Sequence, residues 1–318
     1  MSGEVTYESA GVSLTAARDH TANIASLVSG GIGFAGAMAL PPTRDALIVG
    51  CTDGVGTKIQ LAQKLGRTEG LGQDLVAMCV NDLACTGASP LFFLDYLAVG
   101  KLDPTVAGAF VTGIARACEE TGYALLGGET AEHPGVVAPD HLDAAGFACG
   151  IVERDVMLGE HRVVDGDVIV GVDSSGIHSN GFSLIRRLVD TGALAADADL
   201  LLAPTRLYTA DVARLQQAGV DLHAVAHITG GGMPENLPRV IPTGLRAHVD
   251  PTTWTPNAAI QAVLATGQVP EDDAWDTFNM GIGLCLILPS SEAERACALV
   301  QGARVIGRIE PGEGFTRG

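Results

Sequence analysis

Seven residues, Thr52-Asp53-Gly54-Val55-Gly56-Thr57-Lys58, restrict this chain more than any others, because they put a carboxylate, two glycines, two hydroxyls and an ammonium into one tight turn. The apolar run Ala46 to Gly50 ahead of them reads as a buried strand, and helical spacing resumes at Ile59. Glycine at 54 and 56 removes the Cβ atoms that would keep a ligand off the backbone. Exposed N–H groups could then meet phosphate while Asp53 faces a metal. The same residues also suit a plain strand-to-helix turn with Asp53 as the helix cap.

With 318 residues, 47% of them hydrophobic, the chain can bury a sizeable core, and its length favours two domains. A formal charge of -18 argues against nucleic acid, whose binding needs clustered Lys and Arg; the only lysines are Lys58, Lys64 and Lys101. An anionic nucleotide would need a metal ion as intermediary. Seven cysteines show no CxxC pair and sit mostly in apolar runs, which fits free thiols in a reducing cytosol better than disulfides or zinc. No basic leader precedes an apolar stretch and no segment approaches a membrane span, so a soluble cytoplasmic protein is expected.

Ser13 to Ser29 has helical spacing with Ser13 as a cap. Gly31-Ile32-Gly33-Phe34-Ala35-Gly36 matches GxGxxG, but a helix leads in and Pro41-Pro42 and a strand follow, the reverse of a dinucleotide fingerprint. The glycine-rich segment 30–36 is left as a linker or a flap that could close over a nucleotide. Gly70 to Ala88 reads as a helix apolar nearly all round, yet Asp74, Asn81 and Asp82 fall on one face of it. A carboxylate there is costly unless paired or metal-bound, which marks Asp82; a buried cap for a neighbouring helix is the other reading. Asp95 stands in the apolar strand Leu91 to Val99, as ligand or as supporting acceptor.

A helix over 104–121, a strand over 123–126 and the acids of Gly127-Gly128-Glu129-Thr130-Ala131-Glu132 follow. Carboxylates thus gather where strands end, as in open α/β sheets. The polar stretch 153–167 marks the boundary, giving domains 1–160 and 161–318, both α/β with mixed, α+β-like sheets. In the second half a strand at 168–172 runs into Ser174-Ser175-Gly176-Ile177-His178-Ser179-Asn180-Gly181 before a helix, a setting that suits a phosphate monoester. His178 could equally be an ordinary surface residue. Ala203-Pro204-Thr205 reads as a helix start, Gly230-Gly231-Gly232 as a second anion nest, and the tail after Pro311 as frayed.

Taken together, TDGVGTK at 52–58, DLVAMCVNDL at 74–83, GASPLFFLDY at 87–96, GGETAE at 127–132, SSGIHSNGFSLIR at 174–186, LAPTRLY at 202–208, HITGGGMPENLPRV at 227–240 and TFNMGIG at 277–283 resemble the phosphoribosylformylglycinamidine cyclo-ligase family. The segments run in order through most of the chain. The resemblance implies two α/β domains, a homodimer, and ring closure of formylglycinamidine ribonucleotide to aminoimidazole ribonucleotide with ATP and Mg2+. It places the metal on Asp53, Asp82 and Glu129, with Asp95 as a weaker addition. Gly54, Gly56, Thr57, Asp74, Asn81 and Thr130 would line the nucleotide, and Ser175, Gly176, Asn180 and Gly231 the substrate. Asp53, Lys58 and His178 would carry the chemistry, His178 as base or phosphate ligand. The absence of GxxxxGK[ST] agrees with a site unlike a P-loop. Two departures stand out: His133 follows GGETAE where the family has an apolar residue, and the N-terminal glycine run lacks nearby lysines. A kinase of the same superfamily, such as one acting on thiamine monophosphate, or a non-catalytic nucleotide binder, are the rival readings.

Overall fold

The computed structural model describes residues 12–28, 31–32 and 35–318. Among them the first half carries α1 (Leu14–Ile24), β1 (Gly31–Ile32), β2 (Ala35–Gly36), β3 (Ala46–Gly54), α2 (Lys58–Lys64), α3 (Leu71–Ala84), β4 (Ser89–Val99), α4 (Pro104–Thr121), β5 (Ala124–Glu132) and β6 (Leu142–Glu153). Ser13 caps α1 through its side chain, as its position suggests. The glycine run forms a small antiparallel pairing of β1 with β2, not a strand-to-helix turn; residues 30, 33 and 34 of the flap reading lie outside the described residues.

Strand alternation builds the first sheet, ordered β3-β6-β4-β5. Along β6 the residues at 142, 144, 146, 148, 150 and 152 are buried while Asp143, Ala145 and Phe147 are exposed. The buried side meets α3 and α4. Those two helices touch backbone to backbone, because a Cβ on Gly72 would run into the carbonyl of Phe110. The opposite side of the sheet is bare: Ile48 is 69% exposed, Tyr96 41% and Phe147 39%. β3 pairs antiparallel with β6, β6 antiparallel with β4, and only β4 with β5 is parallel. The sheet is mixed; Asp53 sits at the end of β3, next to its last residue, whereas Glu129 lies within β5.

The second half carries β7 (Val168–Asp173), α5 (Phe182–Asp190), α6 (Ala198–Leu201), α7 (Thr209–Gln217), β8 (Ala224–His227), α8 (Gly232–Asn236), β9 (Leu245–Val249), α9 (Ala258–Ala265), α10 (Glu271–Thr277), β10 (Ile282–Leu288), α11 (Ala293–Leu299), β11 (Ala303–Pro311) and β12 (Gly314–Arg317). Its sheet runs β12-β9-β11-β7-β10-β8, antiparallel except where β12 joins β9. The tail expected to fray is therefore an edge strand, held further by Arg317 over the ring of Trp275. Residues 203–205 do not open a helix either. The segment 202–208 is non-helical and lies along α3, where its backbone groups meet polar side chains of that helix. One apolar cluster runs unbroken from Val55 through α3 to Ile309, so the two halves share their core.

Candidate active site

β3 and α3 bring Asp53 and Asp82 to one place. Cys51, two residues before Asp53 on the same side of β3, donates its thiol to Asp82 Oδ2 at 3.6 Å. Asp53 Oδ1 accepts the amide of Gly54 at 2.7 Å, which takes that N–H away from any phosphate. Burial holds the Asp53 carboxyl above the usual carboxylate range, and the charge of Asp82 pushes the same way. Asp82 itself is not the enclosed acid of its helix: its side chain is 39% exposed, and Oδ1 lies 2.9 Å from His227 Nδ1 at the end of β8. The turn then closes through Gly56, in the left-handed region at φ 67°, to Thr57, whose hydroxyl is 3.2 Å from that of Ser183 on α5.

Glu129 does not join this pair. It lies opposite exposed Tyr96 in the β4–β5 register and is itself exposed, whereas Asp53 lies on the helix-covered side of the sheet. Asp95 shares Asp53's side, since both oppose Gly146 on β6, but with a strand between them. Its carboxyl rests against Gly128 and burial pushes it up to about 7. Asp95, Glu129 and Thr130 all line a cavity of about 530 Å3 beneath α1, where the Thr130 hydroxyl is 3.1 Å from His20 Nε2. Among the described residues no group of three or more His, Cys, Asp and Glu is arranged to hold a metal ion. Within this chain Asp53 and Asp82 adjoin, while Asp95 and Glu129 lie apart from them along β4 and β5. His133 sits with the bare side of the sheet, its Nε2 2.7 Å from the Tyr96 hydroxyl.

Lys58, Asp74 and Asn81 form a joint and do not face ligand space. The Lys58 ammonium bonds Asp74 at 2.8 Å and the carbonyl of Ala203 at 2.9 Å, and Asp74 also accepts the amide and hydroxyl of Thr205 at 2.7 and 2.6 Å. Burial pulls the Lys58 pKa down while Asp74 pulls it up. Asn81 is equally enclosed, donating to the carbonyl of Arg206 and accepting the amide of Tyr208, each at 2.9 Å. The helix face that carries Asp74 and Asn81 is spent on the other half of the molecule.

On that other half the loop 174–181 is braced from within. The carbonyl of Gly176 accepts Ser174 Oγ at 2.9 Å, Asn279 Nδ2 at 3.0 Å and Asn257 Nδ2 at 3.3 Å. Ser175 stays exposed with its hydroxyl on the carbonyl of Pro204 at 2.6 Å. Asn180 faces Gly230, and Gly231 adopts φ 87° beside it, so the two small-residue loops adjoin. His178 is not placed to act as a base. It is 1% exposed, its Nε2 accepts the Ser175 amide at 3.3 Å, and burial, with the charges of Lys58 and Arg206 adding to it, holds its pKa well below the usual range. A neutral, enclosed imidazole shapes the loop.

Sequence reasoning missed His227, Ser183, Asn257 and Asn279. His227, Ser183 and Asn279 lie inside segments singled out for other residues, and Asn257 lies in none. A histidine closing a buried strand just before three glycines was the one available signal.

The models for AIR synthase related protein match this chain over residues 35–152 (N-terminal domain) and 164–317 (C-terminal domain). The phosphoribosylformylglycinamidine cyclo-ligase of Synechococcus sp. (strain CC9605) is 47% identical over 306 residues, covering 89% of this chain and 88% of its own. That of Thermosynechococcus vestitus (strain NIES-2133 / IAM M-273 / BP-1) is 46% identical, with 91% of each covered. Among solved structures, hydrogenase maturation protein HypE in complex with ATP superposes with a TM-score of 0.71 at 19% identity, over 93% of this chain and 86% of its own. Thiamine-monophosphate kinase from Stenotrophomonas maltophilia K279a gives 0.68 at 23% identity over 94% of each. These two likenesses are of fold.

Proposed function

This chain belongs to the phosphoribosylformylglycinamidine cyclo-ligase family, and from that premise we propose that it closes formylglycinamidine ribonucleotide to aminoimidazole ribonucleotide, consuming ATP and releasing ADP and phosphate. The observation that carries the reading is the approach of Asp53 and Asp82 to each other, with Asp82 meeting His227 and Thr57 meeting Ser183 from the other half.

The formamide carbon of the substrate resists attack because its oxygen is a very poor leaving group. On this reading the formyl oxygen attacks the γ-phosphorus of ATP, the bond to ADP breaks, and an imidate phosphate results. An amidine nitrogen then adds to the activated carbon, phosphate leaves with the former formyl oxygen, and the nitrogen loses its proton. The donors suit Mg2+, which is commonly held by one or two carboxylates together with substrate phosphates. The charge of Asp82 helps hold the Asp53 carboxyl above the usual range, and a cation between them would relieve that repulsion. Bound between Asp53 and Asp82, it would offset charge on the transferring phosphoryl group. Gly56 and Thr57 would flank the nucleotide, while Ser175, Asn180, Gly231 and the start of α5 at Ser183 would seat the ribose phosphate. Residues 1–160 thus supply the metal-facing acids and 161–318 the substrate loops.

The bare apolar side of the first sheet supports a homodimer in which a second copy covers Ile48, Tyr96 and Phe147. No described helix is long and apolar enough to cross a membrane. All seven cysteines are free, which supports a reducing, cytoplasmic setting. Product analysis tests the activity: purified protein with the amidine substrate, ATP and Mg2+ should release one inorganic phosphate per imidazole formed. Phosphate retained on the substrate would indicate a kinase and sink the proposal.

A further inference from the structure

We infer that His227 is a positioning residue that aims Asp82, and that Asn81 dictates which ring nitrogen of His227 carries the proton. The inference rests on the reading of Asp82 as the acid that meets metal and phosphate. It begins with an amide. The backbone N–H of Tyr208 donates to Asn81 Oδ1 at 2.9 Å, which identifies the oxygen end of that carboxamide. The nitrogen end, Nδ2, donates to the Arg206 carbonyl at 2.9 Å and lies 3.5 Å from His227 Nε2.

Nδ2 offers only hydrogens, so Nε2 of the imidazole faces a donor and must accept. A proton on Nε2 would set two N–H groups against each other in a site where Asn81 is 0% and His227 5% exposed. The proton therefore resides on Nδ1, which donates to Asp82 Oδ1 across 2.9 Å. The Tyr208 ring, 6.4 Å away and edge-on, packs against the imidazole. Two adjacent residues of α3, Asn81 and Asp82, are thus bridged by one ring borrowed from β8, with both of its nitrogens used. Oδ1 of Asp82 is fixed from behind, and Oδ2 is left toward Cys51 and Asp53. The aim of the acid is set by the half of the molecule that does not carry it, as partners behind metal ligands commonly do.

Two measurements read this without turnover. In nitrogen-15 spectra of histidine-labelled protein, the resonances that vanish in His227→Asn should show a protonated Nδ1 and a bare Nε2. Asn81→Asp, which replaces the donor by an acceptor, should bring a proton to Nε2. A bare Nδ1 in the parent protein, or spectra indifferent to Asn81→Asp, would overturn the assignment. Mn2+ binding followed by electron paramagnetic resonance should weaken about 10- to 100-fold in His227→Ala. His227→Asn, whose amide can still donate toward Asp82, should recover most of it. Unchanged Mn2+ affinity in His227→Ala would defeat the positioning role. The reading beneath it fails separately, by Asp82→Asn keeping full turnover while the tautomer result stands.

Discussion

Lys58 and Asp74 form an ion pair 2.8 Å long in which the side chains are 1% and 0% exposed. Their partners, Ala203 and Thr205, come from the other half, so the pair is a rivet across the seam. Removing one member strands the other as an unpaired buried charge, which costs about 3–5 kcal/mol. Lys58→Met should therefore lower the denaturant midpoint sharply while the protein that remains folded turns over at close to the parent kcat. Unfolding curves combined with active-site titration separate the two effects. A fall in kcat with unchanged stability would return Lys58 to the chemistry.

For the acids the expectation is the reverse. Asp82 is partly exposed and Asp53 and Asp82 sit together where the two halves meet, so neither Asp53→Asn nor Asp82→Asn removes much packing. Each should leave the unfolding midpoint nearly unchanged and cut kcat by about 100-fold or more, the scale for losing electrostatic stabilisation of a transferring group. Glu129→Gln, on the other side of the sheet, should leave Mn2+ affinity of the isolated chain as it was. Near-normal turnover in Asp82→Asn would remove that residue from the site.

What could be seen in the sequence was local. The turn after β3, the loop before α5 and the apolar surroundings of α3 follow from glycine, hydroxyl and hydrophobic spacing within short windows, and the structure keeps all three. What could not be seen was direction. Whether Glu129 or Thr130 points toward the helices depends on the register of β5 against β4, which shifts at Phe93 and Leu94. Likewise the helix face bearing Asp74 and Asn81 was recognised as unusual, but its partner, the non-helical run 203–208, lies more than a hundred residues away and has no periodicity to announce it. Polar residues meant for the joint and polar residues meant for the ligand look alike until that contact is made.

The bare side of the first sheet gives a prediction about assembly. Ile48 is 69% exposed on a strand whose other side is only partly covered, and covering such a side chain is worth roughly 1.5–3 kcal/mol per copy. Ile48→Asp would place a charge there and should shift sedimentation from dimer toward monomer at equal concentration, with the monomer's own unfolding little altered. An unchanged sedimentation coefficient would place the contact between copies elsewhere.

The last prediction concerns pH. Burial pushes Asp95 up to about 7, whereas an unfolded chain leaves an aspartate near 3.8. Between those two values the folded protein holds a proton that the unfolded one has released, so stability must fall as pH rises through that window. Below it there is no difference between the states, and above it the whole penalty is present, about 4 kcal/mol at most for roughly three pKa units. Asp95→Asn keeps the shape and cannot ionise. It should therefore match the parent in denaturant stability at pH 4 and exceed it increasingly toward pH 8, and parallel pH profiles for the two proteins would show that Asp95 is already ionised, held by a partner that offsets its burial.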